Sequence, residues 1–108
     1  MTTRWVIWSD VHIPFANPVA TELTLRFLDW YKPNVAILAG DLLDFYMLSS
    51  FDRDPRRRMT IDQDLAATNA YLDAVDRVLP ADCEKVFVEG NHDDRLRRFL
   101  WHRAPELV

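Results

Sequence analysis

The sequence predicts an α/β fold built on a parallel sheet, and three observations predict it. Three short apolar runs rich in strand-forming residues, 5–8, 35–39 and 85–89, recur along the chain. The segments between them carry apolar residues at helical rather than alternating spacing. Each run ends on turn-forming or metal-ligating residue types, and the only two glycines, Gly40 and Gly90, close the second and third. Average usage would give about seven or eight glycines in a chain of this length, so these two mark turns where a Cβ is not tolerated. The order β-α-β-α-β-α implies right-handed crossovers and a sheet whose strand ends share one edge.

Trp5-Val6-Ile7-Trp8 reads as a buried strand. Asn17-Pro18 then opens a helix, Asn17 as N-cap and Pro18 at the first helical position. Val19, Leu23, Phe27 and Trp30 recur at helical spacing and are expected to form its buried face, and Pro33 ends it. Val35 to Ala39 is the second strand. Residues 42–59 show no clean period and contain Asp54-Pro55, which predicts a long loop with room for a short helical turn. Thr60-Ile61-Asp62-Gln63 fits a capping box. Leu65, Leu72, Val75 and Leu79 are expected to line the packed face of the helix behind it, and Pro80 marks its end. Lys85 to Glu89 is the third strand. A third helix is expected from Asp93 to Trp101, its early Asp93 and Asp94 and later Arg97 and Arg98 suiting the helix dipole. The four tryptophans, Trp5, Trp8, Trp30 and Trp101, read as core or core-edge aromatics.

Length and composition fit one domain over residues 1–108. The formal net charge of −4 does not point to a nucleic-acid binder. Cys83 is the only cysteine, which excludes an internal disulfide and fits a reducing compartment. The opening residues carry no secretory h-region, and no apolar run approaches the roughly 18 residues of a membrane span. A cytoplasmic location without membrane association is the resulting expectation.

Asp10 and His12 stand two residues apart, a spacing that shares one face of extended backbone. Asp41 leaves the second strand and Asn91 the third, toward the same sheet edge, where open α/β sheets place their ligands. Hard oxygen mixed with imidazole suits manganese, iron or zinc better than calcium or an iron–sulfur cluster. Taken singly, each residue also has a plain use in a turn.

Asp10-Val11-His12, Gly40-Asp41-Leu42-Leu43-Asp44 and Gly90-Asn91-His92-Asp93 resemble the first three motifs of the calcineurin-like metallophosphoesterase superfamily, in order and each at a strand end. The likeness spans about positions 5–93. It implies a two-sheet α/β sandwich, of which this chain supplies about half, and two divalent metal ions. Their hydroxide bridge would attack phosphate mono- or diesters. The resemblance implies that Asp10 and His12 bind the first metal, that Asp41 bridges both, and that Asn91 binds the second and touches the phosphate. It makes His92 not a metal ligand but a proton donor to the leaving oxygen or a stabiliser of the phosphoryl group, in contact with substrate, Asp44 its hydrogen-bonded orienting partner, and Asp93 a support of the third loop. The family's later histidine motifs, a lone His and a Gly-His-x-His pair, have no counterpart; His102 is the only histidine after the third motif. The chain alone is therefore expected to bind one cation, or to bind weakly. Phe45-Tyr46 in place of Arg-Gly after the second motif argues against a phosphoprotein phosphatase.

Arg53, Arg56, Arg57 and Arg58 form a basic cluster in the long loop, and Arg95, Arg97 and Arg98 a second. Each is either a solvated surface or a rim that attracts a phosphorylated or nucleic-acid substrate, with Arg56 and Arg57 as candidate contacts. The alternatives to a phosphate-ester hydrolase are a non-catalytic scaffold or binding module of the same fold, and a nuclease subclass, which the net acidity disfavours.

Overall fold

Residues 2–49, 53–56 and 60–107 are described by the structure, a computed structural model. Three strands, β1 (Trp5–Trp8), β2 (Val35–Ala39) and β3 (Glu84–Val88), form one parallel sheet in the order β1-β2-β3. Trp8 pairs with Leu38 and Leu38 with Phe87, so the three strand ends lie side by side. The expected α/β class is thus met by a mixed fold with a three-stranded parallel sheet and three α-helices among the described residues. No helix among them is long and apolar enough to cross a membrane.

Helix α1 (Pro18–Tyr31) starts as its sequence predicts: the Asn17 side chain accepts from the Val19 and Ala20 amides, and Pro18 occupies the first turn. It stops at Lys32, which adopts a left-handed conformation with φ 52°. Helix α2 (Ile61–Val78) carries the predicted capping box, the Thr60 hydroxyl accepting from the Gln63 amide and the Gln63 side chain accepting from the Thr60 amide. Helix α3 (Arg95–Arg103) begins two residues later than expected. The reason is local: the Asp93 carboxylate accepts from the Gly90 and Leu43 amides at 2.9 and 2.8 Å, which holds 91–94 in turns.

α1 and α2 pack against each other on one face of the sheet. Ala36 and Leu38 of β2 meet Leu28 of α1 and Tyr71, Val75 and Leu79 there, with Val6 and Trp8 at the margin. The Trp8 indole N–H donates to the Tyr71 hydroxyl at 2.9 Å. The opposite face carries Trp5, Ile7, Val86 and Val88, all exposed. Parallel sheets are ordinarily covered on both faces, so this apolar side is unusual.

Three packing expectations are corrected. Val19, Leu23, Phe27 and Trp30 of α1 face solvent, Trp30 at 76 % exposure; the helix buries Leu28 and partly buries Leu25 instead. A helix with apolar residues on two sides reveals its period but not which stripe meets the sheet. On α2 the buried set is Asp64, Thr68, Tyr71 and Val75, and Leu65 and Leu72 lie outside. Of the four tryptophans only Trp8 packs at the core; Trp5, Trp30 and Trp101 are exposed.

Asp64 was not foreseen as a core residue. It is 0 % exposed, and among the described residues neither carboxylate oxygen has a hydrogen-bond partner. Burial, and secondarily the charge of Asp44, raises its pKa above the ordinary 3.8. A carboxyl with a raised folded-state pKa lowers stability above its unfolded pKa, increasingly as pH rises through the folded value. Asp64→Asn is therefore expected to raise the melting temperature at neutral pH and to change it little below pH 3.8. Relieving one buried unpartnered anion contributes about 1–3 kcal/mol. Melting curves at both pH values check this; a lower melting temperature at neutral pH would refute it.

Candidate metal centre

The loops that follow β1 and β2 run side by side past the sheet edge. Asp10 donates its amide to Gly40 at 3.1 Å, His12 to Asp41 at 3.0 Å and Ile13 to Leu42 at 2.8 Å, and Asp44 returns a bond to Ile13 at 2.9 Å. These bonds turn the backbone sharply. Asp10, His12 and Asp41 all hold positive φ, at 59°, 52° and 54°. Non-glycine residues there are uncommon, and such strain concentrates at functional sites.

Both glycines now have a physical reason. Gly40 has φ +93°, a region L side chains avoid, and a Cβ on it would press the Gly90 Cα at 3.1 Å. A Cβ on Gly90 would overlap the Asp41 carboxylate and come within 2.5 Å of the Asp41 nitrogen. The glycines let the second and third loops touch, and that contact carries Asp41 into the centre.

Around Asp41 the side chains converge. His12, Asp41 and His92 each offer one ligand atom, all within 4.8 Å of one another. The His12 and His92 rings meet edge to face, centroids 4.5 Å apart. Asp41 Oδ1 accepts from the His92 amide at 2.9 Å. His12 lies between two carboxylates, Nε2 at 3.3 Å from Asp10 and Nδ1 at 3.0 Å from Asp44. Burial alone would lower the His12 pKa, but the bonds to Asp44 and Asp10 outweigh it and the net shift is upward. Asp10, exposed, has its pKa lowered by the Ser9 hydroxyl, which donates to it at 2.6 Å, and by His12.

Asp44 serves both histidines. Its carboxylate lies 3.0 Å from His12 Nδ1 and 3.3 Å from His92 Nδ1, while its carbonyl oxygen takes His92 Nδ1 at 3.1 Å and the Arg95 guanidinium at 2.9 Å. A proton on Nδ1 of each ring satisfies the contacts with Asp44, while His12 Nε2 faces the Asp10 carboxylate at 3.3 Å. Asp44 thus orients His92 chiefly through its backbone, and His12 through its side chain. The second contact has the pattern of a carboxylate fixing a metal-ligating histidine.

The donor set fits a divalent transition cation. It pairs imidazole nitrogen with carboxylate oxygen, places the donors within reach of one ion, and fixes His12 from behind. His12, Asp41 and His92 are the residues whose ligand atoms lie within reach of one ion, and the exposed Asp10 carboxylate stands beside them, 3.3 Å from His12 Nε2.

Asn91 is exposed, and its side-chain amide makes no hydrogen bond among the described residues. It lines a cleft beside the cluster together with His92. Arg56 is held by Asp54, with Nη2 at 2.8 Å, and does not line that cleft; Arg57 and Arg58 lie outside the described residues. The role of Arg95 as a ligand of the Asp44 carbonyl was not anticipated; its one sequence signal is a cation in the first turn of a helix, where the dipole opposes it.

No family model, no curated protein and no solved structure matches the chain.

Proposed function

We propose that the protein is a metal-dependent phosphoesterase of the calcineurin-like type, hydrolysing phosphate mono- or diesters. The observation that carries this reading is the convergence of His12, Asp41 and His92 at one sheet edge, with Asp10 against His12, Asp44 behind it, and Asp10, His12 and Asp41 all in strained backbone. The three motifs supply the order and spacing that the resemblance requires. The largely exposed apolar face of the sheet also supports it, because one layer of a two-sheet sandwich presents such a face.

Asp10, His12, Asp41 and Asn91 are the assigned ligands of manganese, iron or zinc. Bound divalent cations would stabilise charge on the phosphoryl oxygens and lower the pKa of a coordinated water. The chain's own residues then position and transfer protons. With Nδ1 anchored on the Asp44 carbonyl, His92 directs Nε2 outward, where a protonated ring donates to the leaving oxygen. Asp44 fixes both rings, and Asp93 holds the third loop against the second.

His92→Ala distinguishes proton donation from ligation. Turnover of bis(p-nitrophenyl) phosphate with manganese is expected to fall about 100- to 10,000-fold, while manganese affinity falls far less. Unchanged turnover would remove the assigned role. Manganese binding by the wild-type chain with no ester turnover would favour the non-catalytic binding module.

Metal binding also has a predicted pH sign. A cation taking His12 must displace a proton whose affinity the flanking Asp10 and Asp44 have raised. Manganese affinity measured by titration calorimetry is expected to increase as pH rises through the His12 range. A pH-independent affinity would exclude His12 as a ligand.

A further inference from the structure

Beside the metal centre, and sharing His92 and Asn91 with it, lies a cleft of about 840 Å³ between α3 and the turn at Tyr46–Leu48. Arg53, Arg95, Arg98 and Arg103 line it with His102 and Phe99, and its described lining contains no Asp or Glu. In a chain of net charge −4 this is a marked local segregation of positive charge.

The way these arginines are held matters more than their number. Arg95 donates to the Asp44 carbonyl and Arg53 to the Met47 carbonyl, neutral acceptors that fix the guanidinium without cancelling its charge. Arg98 donates to the Asn91 carbonyl at 2.6 Å and shares Asp94 with Arg97, which lies outside the cleft lining. Arg103 has no carboxylate partner among the described residues. The dipole of α3 accounts for Arg103 and His102 in its last turn but not for Arg95 in its first, where a cation is disfavoured. Arg95 and Arg103 stand eight residues apart on one helix, about 12 Å along its axis. A single phosphate does not span that distance.

We infer that the cleft binds the remainder of a substrate carrying further phosphate groups beyond the scissile one, a polyphosphorylated ester or an oligonucleotide strand. This rests on the phosphoesterase reading for which phosphate is cleaved, but not for the anion binding itself. The scissile phosphate sits at His92 and Asn91, the next phosphates lie along Arg95 and Arg98 toward Arg53 and Arg103, and Phe99 offers a half-exposed ring to an attached base.

The test measures binding in chelator, so that the metal centre does not contribute. Tripolyphosphate and orthophosphate compete against a fluorescein-labelled oligothymidylate, followed by anisotropy, or are titrated directly by calorimetry. Tripolyphosphate is expected to bind at least about tenfold more tightly than orthophosphate. An oligothymidylate signal with a log–log salt slope of about −2 to −3 identifies a nucleic-acid strand; tight tripolyphosphate without that signal identifies a small polyphosphorylated ester. Arg103→Glu and Arg53→Glu, both at exposed positions, are each expected to weaken tripolyphosphate about tenfold or more, and Arg103→Lys to restore most of the loss.

Equal affinity for the two phosphates overturns the inference, as does indifference to both charge reversals in variants with wild-type circular dichroism. Manganese-dependent turnover of bis(p-nitrophenyl) phosphate is measured in parallel. Its absence with chelator-insensitive tripolyphosphate binding intact supports the cleft and removes the hydrolase reading. Turnover without preferential tripolyphosphate binding does the reverse.

Discussion

Asp41→Asn is expected to lower manganese affinity by more than about 100-fold and to abolish manganese-dependent ester hydrolysis, while the melting temperature changes little. Asp41 is the residue on which the three loops converge. Its carbonyl accepts from the His12 amide at 3.0 Å and its carboxylate from the His92 amide at 2.9 Å. It therefore joins the first loop to the third as well as offering a ligand beside both imidazoles. Asparagine suits the test because it tolerates the left-handed backbone that Asp41 holds at φ 54°. Its amide oxygen can still accept from the His92 N–H, so the fold keeps its bond while the site loses a negative charge and a two-oxygen ligand. Calorimetric titration with manganese, thermal melting and turnover separate these effects. A variant that retains wild-type affinity would show that Asp41 is a structural turn residue.

The second large effect is expected from Gly90→Ala, one added methyl group that touches no substrate. The new Cβ would overlap the Asp41 carboxylate and approach the Asp41 nitrogen within 2.5 Å. That nitrogen is backbone, anchored in the loop that pairs with residues 10–13, so no side-chain rotation relieves the overlap. Overpacking of this kind destabilises by about 1–3 kcal/mol, which lowers the melting temperature by several degrees or more in a domain of this size. Manganese affinity should fall together with it, because the loops separate where Asp41 meets His92. Thermal melting and manganese titration on the same preparation check both parts. Unaltered affinity would mean that contact between the second and third loops does not build the site.

The strands and the starts of α1 and α2 were legible because their signals are local. Asn17-Pro18 and the Thr60–Gln63 pair each fix a helix end through bonds within one turn, and those bonds are present. The meeting of His12 and Asp41 was legible because parallel strands end at one edge, which brings their following residues together whatever the details of the loops; the entry of His92 among the ligand atoms was not. Side selection was not legible. Val19, Leu23, Phe27 and Trp30 make as good a helical stripe as the one α1 buries, and only packing decides between them. Asp64 at the core end of α2 ran against the usual cost of burying a carboxylate and had no local signal. Asp44 divides between two histidines next to a left-handed Phe45, at φ 47°, a conformation that the sequence does not announce. The Arg-lined cleft joins residues from two segments, and neither segment alone distinguishes a solvated basic loop from a charged wall.

Anomalous diffraction from manganese-soaked crystals of the 108-residue chain bears most directly on the central claim, that the loops after β1 and β2 build a divalent-cation site. The expected result is an anomalous peak coordinated by the Asp10 carboxylate, an imidazole nitrogen of His12 and the Asp41 carboxylate. Manganese bound elsewhere on the molecule, with those three side chains uncoordinated, would contradict it.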